Sequence, residues 1–174
     1  MRLFAERGYE ATTVADIAAA AELAPRTLNS YFPNKIDMAT AVVDEIADGL
    51  AEALSADAGA DFVTVLDGWL SGLSSAVDVE LIRLSAAMLD ANPALRAVST
   101  SHVSASAAVG TTVIARQLGL PPDHPAVAIC TGAIGNAVGG YIGAFAKQGP
   151  DEHLHRWFLG LLTAMLRDAG SPTG

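Results

Sequence analysis

The residues best suited to chemistry lie in one short segment near the N-terminus, "PRTLNSYF", residues 25–32. Around the apolar Leu28 and Phe32, this segment displays five side chains that can donate a hydrogen bond: Arg26, Thr27, Asn29, Ser30 and Tyr31. Arginine and asparagine pair with base edges in the major groove of DNA, and hydroxyl groups bind phosphate oxygens. The pattern therefore predicts a helix that contacts DNA, since an ordinary helical hairpin seldom displays this set on one short helix.

Two short helices are predicted to position these side chains. Thr13 and Asp16 have the spacing of a capping box, and apolar residues then recur at helical spacing at Val14, Ile17, Ala18 and Ala21. Pro25 suits the first position of a second helix because it has no N–H to leave unpaired. Leu28 and Phe32, four residues apart, would face a core. The spacing thus predicts a helix-turn-helix.

The segment from Leu3 to Val43 resembles the N-terminal domain of the tetracycline-repressor (TetR) family of bacterial transcriptional regulators. The features that carry the resemblance stand at the family's spacing: Phe4, Gly8-Tyr9, Thr12-Thr13, Ile17-Ala18, Thr27-Leu28, Tyr31-Phe32 and Lys35. The resemblance implies three N-terminal helices (residues 1–33) and a helical ligand-binding and dimerisation domain (34–170), followed by a tail (171–174). The rest of the chain matches the family in helix number and length only.

The family pattern, carried over onto this sequence, implies a set of DNA contacts. Pro25, Arg26 and Asn29 would lie on the groove floor, where the Arg26 guanidinium can form two hydrogen bonds to guanine. Phosphate contacts would come from Thr13, Thr27, Ser30, Tyr31 and Lys35. Two alternatives stay open: Lys35 as a solvated surface lysine, and Tyr31 as a half-buried core aromatic.

The sequence departs from the family pattern at several positions. Glu22 stands where the family often has a turn glycine, which predicts strain at a left-handed backbone position, and Ala24 replaces the usual serine cap. Asn29 replaces a common tyrosine, so we expect a different operator sequence. Met1 lies only two residues before Leu3, whereas the family's first helix is longer. We expect either an upstream start or an omitted disordered segment; a shortened first helix is the third possibility.

Composition limits the class of protein. The chain has 174 residues, of which 51% are hydrophobic and 17% charged, and its helical periodicity predicts an all-α fold of about nine helices. Cys130 is the only cysteine, which excludes a disulfide framework and fits the cytoplasm. The net charge is −9, and residues 1–47 carry four basic against seven acidic side chains. DNA binding must therefore rest on geometry and not on charge.

Two C-terminal segments are predicted to form a dimer interface. Ala126 to Ala146 has no formal charge and repeats glycine at 135, 139 and 143, a pattern that also occurs in membrane spans, but its five glycines and polar residues favour a soluble helix. Asp151 to Arg167 is amphipathic. The resemblance implies that both helices join those of a second copy, through Gly135, Gly139, Gly143, Phe158 and Leu162. Burial of both helices within one chain is the alternative.

A ligand pocket is predicted between the middle helices. One face of each of three segments supplies its lining: Leu66, Trp69 and Leu73; Leu84 and Met88; and His102, Val103 and Ser106. This mixture favours a small, mainly apolar effector with a few polar anchors. An ordinary core would give the same pattern.

Catalysis is not favoured by the titratable residues. The four histidines are scattered, and no nucleophile, metalloprotease or phosphate-loop motif occurs, so we expect no catalytic residue, metal or cofactor. The function that the sequence favours is a homodimeric transcriptional regulator, in particular a repressor released from an inverted-repeat operator by a small molecule. The alternative is a helical dimer that binds a small molecule and has lost DNA binding.

Overall fold

The computed structural model of the chain describes residues 1–57, 59–92, 95 and 104–170. Among these residues it contains nine α-helices and no strand, so the predicted all-α fold is confirmed. The helices are α1 (Arg2–Arg7), α2 (Val14–Ala20), α3 (Pro25–Tyr31), α4 (Lys35–Ala56), α5 (Phe62–Ala76), α6 (Val79–Ala91), α7 (Ser104–Leu118), α8 (Pro125–Gln148) and α9 (Glu152–Gly170).

Local capping sets the ends of the helices around the N-terminal motif. Gly8 ends α1 with a φ of 84°, a left-handed conformation that glycine adopts without a steric penalty. Asn34 precedes α4 and forms a capping box with Asp37, whose Oδ2 accepts a 2.9 Å hydrogen bond from the Asn34 N–H. The short connections therefore follow directly from residue types in the sequence.

The larger of two hydrophobic cores unites α4 to α9. All six of these helices contribute buried residues: Val42 and Leu54 of α4, Leu66 and Leu73 of α5, Ile82 of α6, Ile114 of α7, Val127 of α8 and Leu162 of α9. Cys130 is buried in this core. This core provides most of the apolar burial that stabilises the C-terminal part of the chain.

The smaller core lies beneath the first three helices. Phe4, Ala18 and Leu28 supply one buried residue from each of α1, α2 and α3, and Met38 and Ala39 close the core from α4. Met88 of α6 and Leu95 belong to the same cluster. The three N-terminal helices therefore do not enclose a core of their own, and the boundary after residue 33 remains a prediction.

The predicted segment from Pro93 to Leu118 is described only in part. The helix α7 covers its second half, whereas residues 93–94, 96–103 and the tail 171–174 lie outside the described residues. The longest described helix is α8, with 24 residues. It is the one described helix whose length and apolar composition would allow a membrane crossing, which is a weak indication because core helices of soluble proteins share both properties.

Candidate nucleic-acid interface and effector site

The helix α3 turns its polar side chains outward. Leu28 faces the smaller core, whereas Arg26, Thr27, Asn29 and Ser30 are exposed. Tyr31 is 72% exposed, so the alternative of a half-buried core aromatic is not what the structure shows. Within the described residues, Arg26 makes no hydrogen bond or ion pair that would occupy its guanidinium. The arrangement leaves this side chain available for a base edge.

The helix α2 begins with the predicted capping box. The Asp16 N–H donates to Thr13 Oγ1 over 3.1 Å, and the Thr13 N–H donates to Asp16 Oδ2 over 2.9 Å. The Thr13 hydroxyl also donates to Asp16 Oδ2 over 2.6 Å, and this bond is the main cause that holds the pKa of Asp16 below its usual range. A phosphate contact from Thr13 would have to share this hydroxyl.

The turn between α2 and α3 carries the predicted strain. Glu22 has a φ of 55° and is the one non-glycine residue with positive φ in the described part of the chain. The turn is held by the Leu23 N–H, which donates to the Ala18 carbonyl over 2.9 Å. Ala24 caps α3 without a side-chain hydrogen bond. The turn is therefore formed although its residues are not those that favour it.

Lys35 does not point freely into solvent. Its Nζ donates to the Tyr9 carbonyl over 2.9 Å and to the Thr12 carbonyl over 3.2 Å, and it lies 4.1 Å from the centroid of the Tyr9 ring. The ammonium thus binds the connection between α1 and α2. Lys35 is therefore not the solvated surface lysine of the alternative, and its ammonium is engaged within the protein and not directed toward a phosphate.

Thr12 stabilises the connection between α1 and α2. The sequence analysis named Thr12 only as part of the family resemblance and gave it no role of its own. Its side chain is fully buried, and its hydroxyl contacts the Gly8 carbonyl at 2.8 Å and the Leu3 carbonyl at 3.2 Å. A threonine four residues after a helix-ending glycine is a signal for this arrangement. On α3, the Ser30 hydroxyl donates in a similar way to the Thr27 carbonyl over 2.7 Å.

The family comparison agrees with this local geometry. Residues 1–42 match the family model described as bacterial regulatory proteins, tetR family. The chain carries a TetR-family DNA-binding domain. This match supports a helix-turn-helix, DNA-binding transcriptional regulator. Proteins of the matched family are generally non-enzymatic and typically dimeric. No curated protein matches the chain.

The residues predicted to bind the effector do not converge on one cavity. Leu66 lies in the larger core and Met88 in the smaller one, so both already pack within the chain. Leu84 is half-buried on α6. His102 and Val103 lie outside the described residues; Ser106 belongs to α7, but its side chain is not described.

Trp69 and Leu73 border a cleft of about 340 Å³ between α4 and α5. A Cβ atom at Gly49 would lie 3.2 Å from Trp69 Nε1, so the indole rests directly on α4. Three acidic residues of α4 border the same cleft, and the complete lining is Glu45, Ile46, Asp48, Gly49, Glu52, Trp69, Leu73, Ala76 and Val77. Sequence reasoning missed the α4 side of this cleft because it considered only the middle helices.

The predicted dimer residues divide into two groups. Gly135 and Gly139 are exposed and Gly143 is half-buried, and a Cβ atom at any of the three would meet nothing within 4 Å. Phe158 and Leu162 are only 3% and 1% exposed, because they pack into the larger core of their own chain. The structure therefore does not place these two side chains on the outer face of α9.

The outer, solvent-exposed face of α8 and α9 carries apolar residues that were not among the predicted dimer contacts. Ile129 of α8 is 71% exposed, Trp157 of α9 is 59% exposed, and Leu161, four residues after Trp157, is also exposed. The amphipathic pattern alone could not identify Trp157, since α9 has apolar residues on both its inner and its outer face. Trp157 is exposed although the next residue, Phe158, is buried.

One polar cluster joins three helices of the C-terminal part. The Tyr141 hydroxyl of α8 lies 2.7 Å from His155 Nδ1 on α9, and His155 Nε2 lies 2.8 Å from Asp67 Oδ1 on α5. Burial is the main cause that raises the pKa of Tyr141. Sequence reasoning treated the histidines as scattered because it could not place Asp67 beside His155. The cluster fixes α5 against the two C-terminal helices.

Proposed function

We propose that the protein is a homodimeric, cytoplasmic repressor that leaves an inverted-repeat operator when a small molecule binds beside α4. The observation that carries the proposal is the exposed polar face of α3, where Arg26, Thr27, Asn29, Ser30 and Tyr31 all project outward. A helix with this face fits the major groove, where bases and phosphates supply the matching acceptors and donors. The remaining proposed DNA contacts are those of Pro25 and Thr13.

Dimerisation is supported by the outer face of α8 and α9. Large apolar side chains such as Ile129 and Trp157 are exposed on these helices, and Gly135 and Gly139 of α8 leave room for close approach of another backbone. An apolar patch of this kind on a soluble protein is usually covered by a partner. Two-fold pairing of this face would place two copies of α3 on one side of the dimer, which is what an inverted repeat requires.

The effector proposal rests on the cleft between α4 and α5. Trp69 and Leu73 offer apolar contacts, whereas Glu45, Asp48 and Glu52 give the α4 side negative charge. A mainly apolar molecule that carries a basic group matches both sides, because an indole face and carboxylates each attract a cation. This is more specific than the apolar effector that the sequence alone suggested.

Two helices connect the cleft to the DNA-binding domain. The helix α4 extends from the cleft at Gly49 to Lys35, and α6 contributes Met88 to the core beneath α3. A ligand that shifts either helix would change the position of α3 relative to that of the partner subunit. Ligand and operator must then change each other's affinity by the same factor.

The test begins with selection of a preferred duplex from random DNA by the purified protein. A series of hydrophobic amines and their neutral analogues is then titrated against the protein, with and without that duplex. We expect the amines to bind more tightly than the neutral analogues and to release the DNA. An amine that binds tightly but leaves DNA affinity unchanged would contradict the proposed regulation.

A second candidate function is a dimeric small-molecule binder that no longer binds DNA. The acidic character of residues 1–47, with four basic and seven acidic side chains, favours this candidate. The two functions separate in the selection experiment, because only the repressor would enrich an inverted repeat. Loss of all duplex preference would support the second candidate.

A further inference from the structure

Lys35 occupies an unexpected place for a basic residue beside a DNA-binding motif. Both carbonyl groups that it contacts, those of Tyr9 and Thr12, belong to the connection that leads from α1 into the capping box of α2. We propose that Lys35 is a positioning residue that sets the orientation of α2 and α3 relative to α4, and that it does not bind phosphate. This inference rests on the proposed DNA-binding function.

The connection between α1 and α2 is held from two sides. Thr12 attaches it to α1 through the Leu3 and Gly8 carbonyls, while Lys35 attaches it to the first turn of α4. The Tyr9 carbonyl also accepts the Thr12 N–H over 3.3 Å. Hydrogen bonds from a charged donor are stronger than neutral ones, and the Tyr9 ring beneath the ammonium adds a cation–π contact.

The position of Lys35 on α4 connects this role to the effector site. Gly49, which contacts Trp69 in the cleft, lies fourteen residues further along the same helix. At the rise of an α-helix this is a distance of about 21 Å. A movement of α4 at the cleft would therefore reach the start of α2 through the Lys35 ammonium.

A phosphate contact would require Lys35 to leave its present partners. The new ion pair with DNA would then be offset by the loss of the hydrogen bonds to two backbone carbonyls and of the contact with the Tyr9 ring. In the proposed arrangement, the ammonium keeps its partners when DNA binds. The two arrangements predict different responses to salt and to DNA sequence.

The first test compares Lys35→Met with Lys147→Met in the full chain. Methionine keeps the length of the side chain but removes the donors, and Lys147 is the other lysine of the chain, paired with Asp90 on the surface. We expect Lys35→Met to weaken binding to the selected operator about tenfold and binding to scrambled DNA much less, with an unchanged salt slope. Lys35→Arg should recover part of the loss.

Two results in this test would overturn the proposal. If operator and scrambled DNA lose affinity equally and the salt slope falls by about one unit per subunit, Lys35 binds phosphate. If both lose affinity equally, the slope is unchanged and the loss matches the unfolded fraction measured by circular dichroism, Lys35 only stabilises the fold. Selective loss on the operator supports positioning because base contacts depend on the orientation of α3.

A second test does not require DNA. Hydrogen exchange of the backbone amides of Thr12, Thr13 and Asp16 should become faster in Lys35→Met but not in Lys147→Met. These amides donate the hydrogen bonds of the connection that Lys35 contacts and of the capping box that begins α2. Unchanged exchange would overturn the proposal whatever the DNA result. If the unmutated protein prefers no duplex, the proposed function fails, whereas the exchange result still decides whether Lys35 orders the start of α2.

Discussion

The face of α3 and the outer face of α8 and α9 are both exposed, yet they differ in length and chemistry. The helix α3 has seven residues and presents hydrogen-bond donors, whereas α8 and α9 have 24 and 19 residues and present glycines and large apolar side chains. A short polar helix suits a partner that supplies acceptors in a groove. A long apolar face suits a second copy of itself, because water must be excluded over a large area.

The two faces also differ in what lies behind them. The helices α8 and α9 pack on the larger core through Val127, Phe158 and Leu162. The helix α3 packs on the smaller core through Leu28, and that core is completed by Met88 and Leu95. Both faces therefore rest on cores that include residues distant in sequence, but the polar face rests on the smaller core and the apolar face on the larger one. The following predictions test this difference, from the largest expected effect to the smallest.

The largest effect is expected at the proposed dimer face. In Gly139→Glu, a charged side chain enters the glycine face of α8, and two copies of it would have to be buried against each other. We expect a monomer by light scattering and the loss of operator binding, since single half-sites bind much more weakly. Gly72→Glu on α5 is the matched control, because a Cβ atom there also meets nothing within 4 Å. A monomeric mass for the unmutated protein would refute this arrangement.

The next effect concerns the core beneath α3. Met88→Ala leaves a cavity, and we expect the free energy of unfolding to fall by about 2–5 kcal/mol, with loss of operator binding at a lower denaturant concentration than loss of the dimer. Urea titrations followed by DNA binding and by light scattering would separate these two losses. Met165→Ala, at a half-buried methionine packed on the larger core, serves as the control. If both variants lose DNA binding together with the dimer, the two faces are not supported independently.

A smaller effect is expected from the exposed guanidinium of α3. Arg26→Ala should cost about 1–3 kcal/mol on the selected operator and reduce discrimination at one base pair in each half-site. Binding measurements on a set of single-base variants of the operator would show the position. Arg167→Ala, at an exposed arginine in the last turn of α9, should leave operator binding unchanged. Equal losses on every DNA sequence would assign Arg26 to a phosphate.

The smallest effect is expected in the turn before α3. Glu22→Gly should raise the free energy of unfolding by about 0.5–1 kcal/mol, since glycine adopts the positive φ without steric cost. Glu22→Ala removes the same charge but retains the unfavourable conformation, and should not stabilise the protein. Thermal unfolding of both variants provides the measurement. Equal stabilisation by alanine would show that charge, and not backbone strain, determines the effect.

Features that depend on neighbouring residues were predictable from the sequence. The capping box of Thr13 and Asp16 and the strained conformation of Glu22 were both predicted from residue types at fixed spacing. The helical class followed from periodicity alone. These features need no knowledge of how distant segments pack.

Features that depend on tertiary packing were not predictable in the same way. Met88 and Phe158 each lie on an apolar helix face, but only the fold shows that Met88 belongs to the smaller core and that Phe158 points away from the proposed dimer face. The sequence could not show that the Tyr9 and Thr12 carbonyls lie within reach of Lys35, which is the observation behind our proposal that Lys35 positions α2 and does not bind phosphate. The DNA, effector and dimer contacts of the remaining residues stay predictions.

The contribution of Met88 and Leu95 to the N-terminal core has a consequence for synthesis of the protein. The first three helices leave the ribosome before either residue has been translated, so their core cannot be completed at that stage. Contacts between residues that are distant in sequence also form slowly. We therefore expect the N-terminal helices to remain only partly folded, and open to proteolysis, until Leu95 has left the exit tunnel.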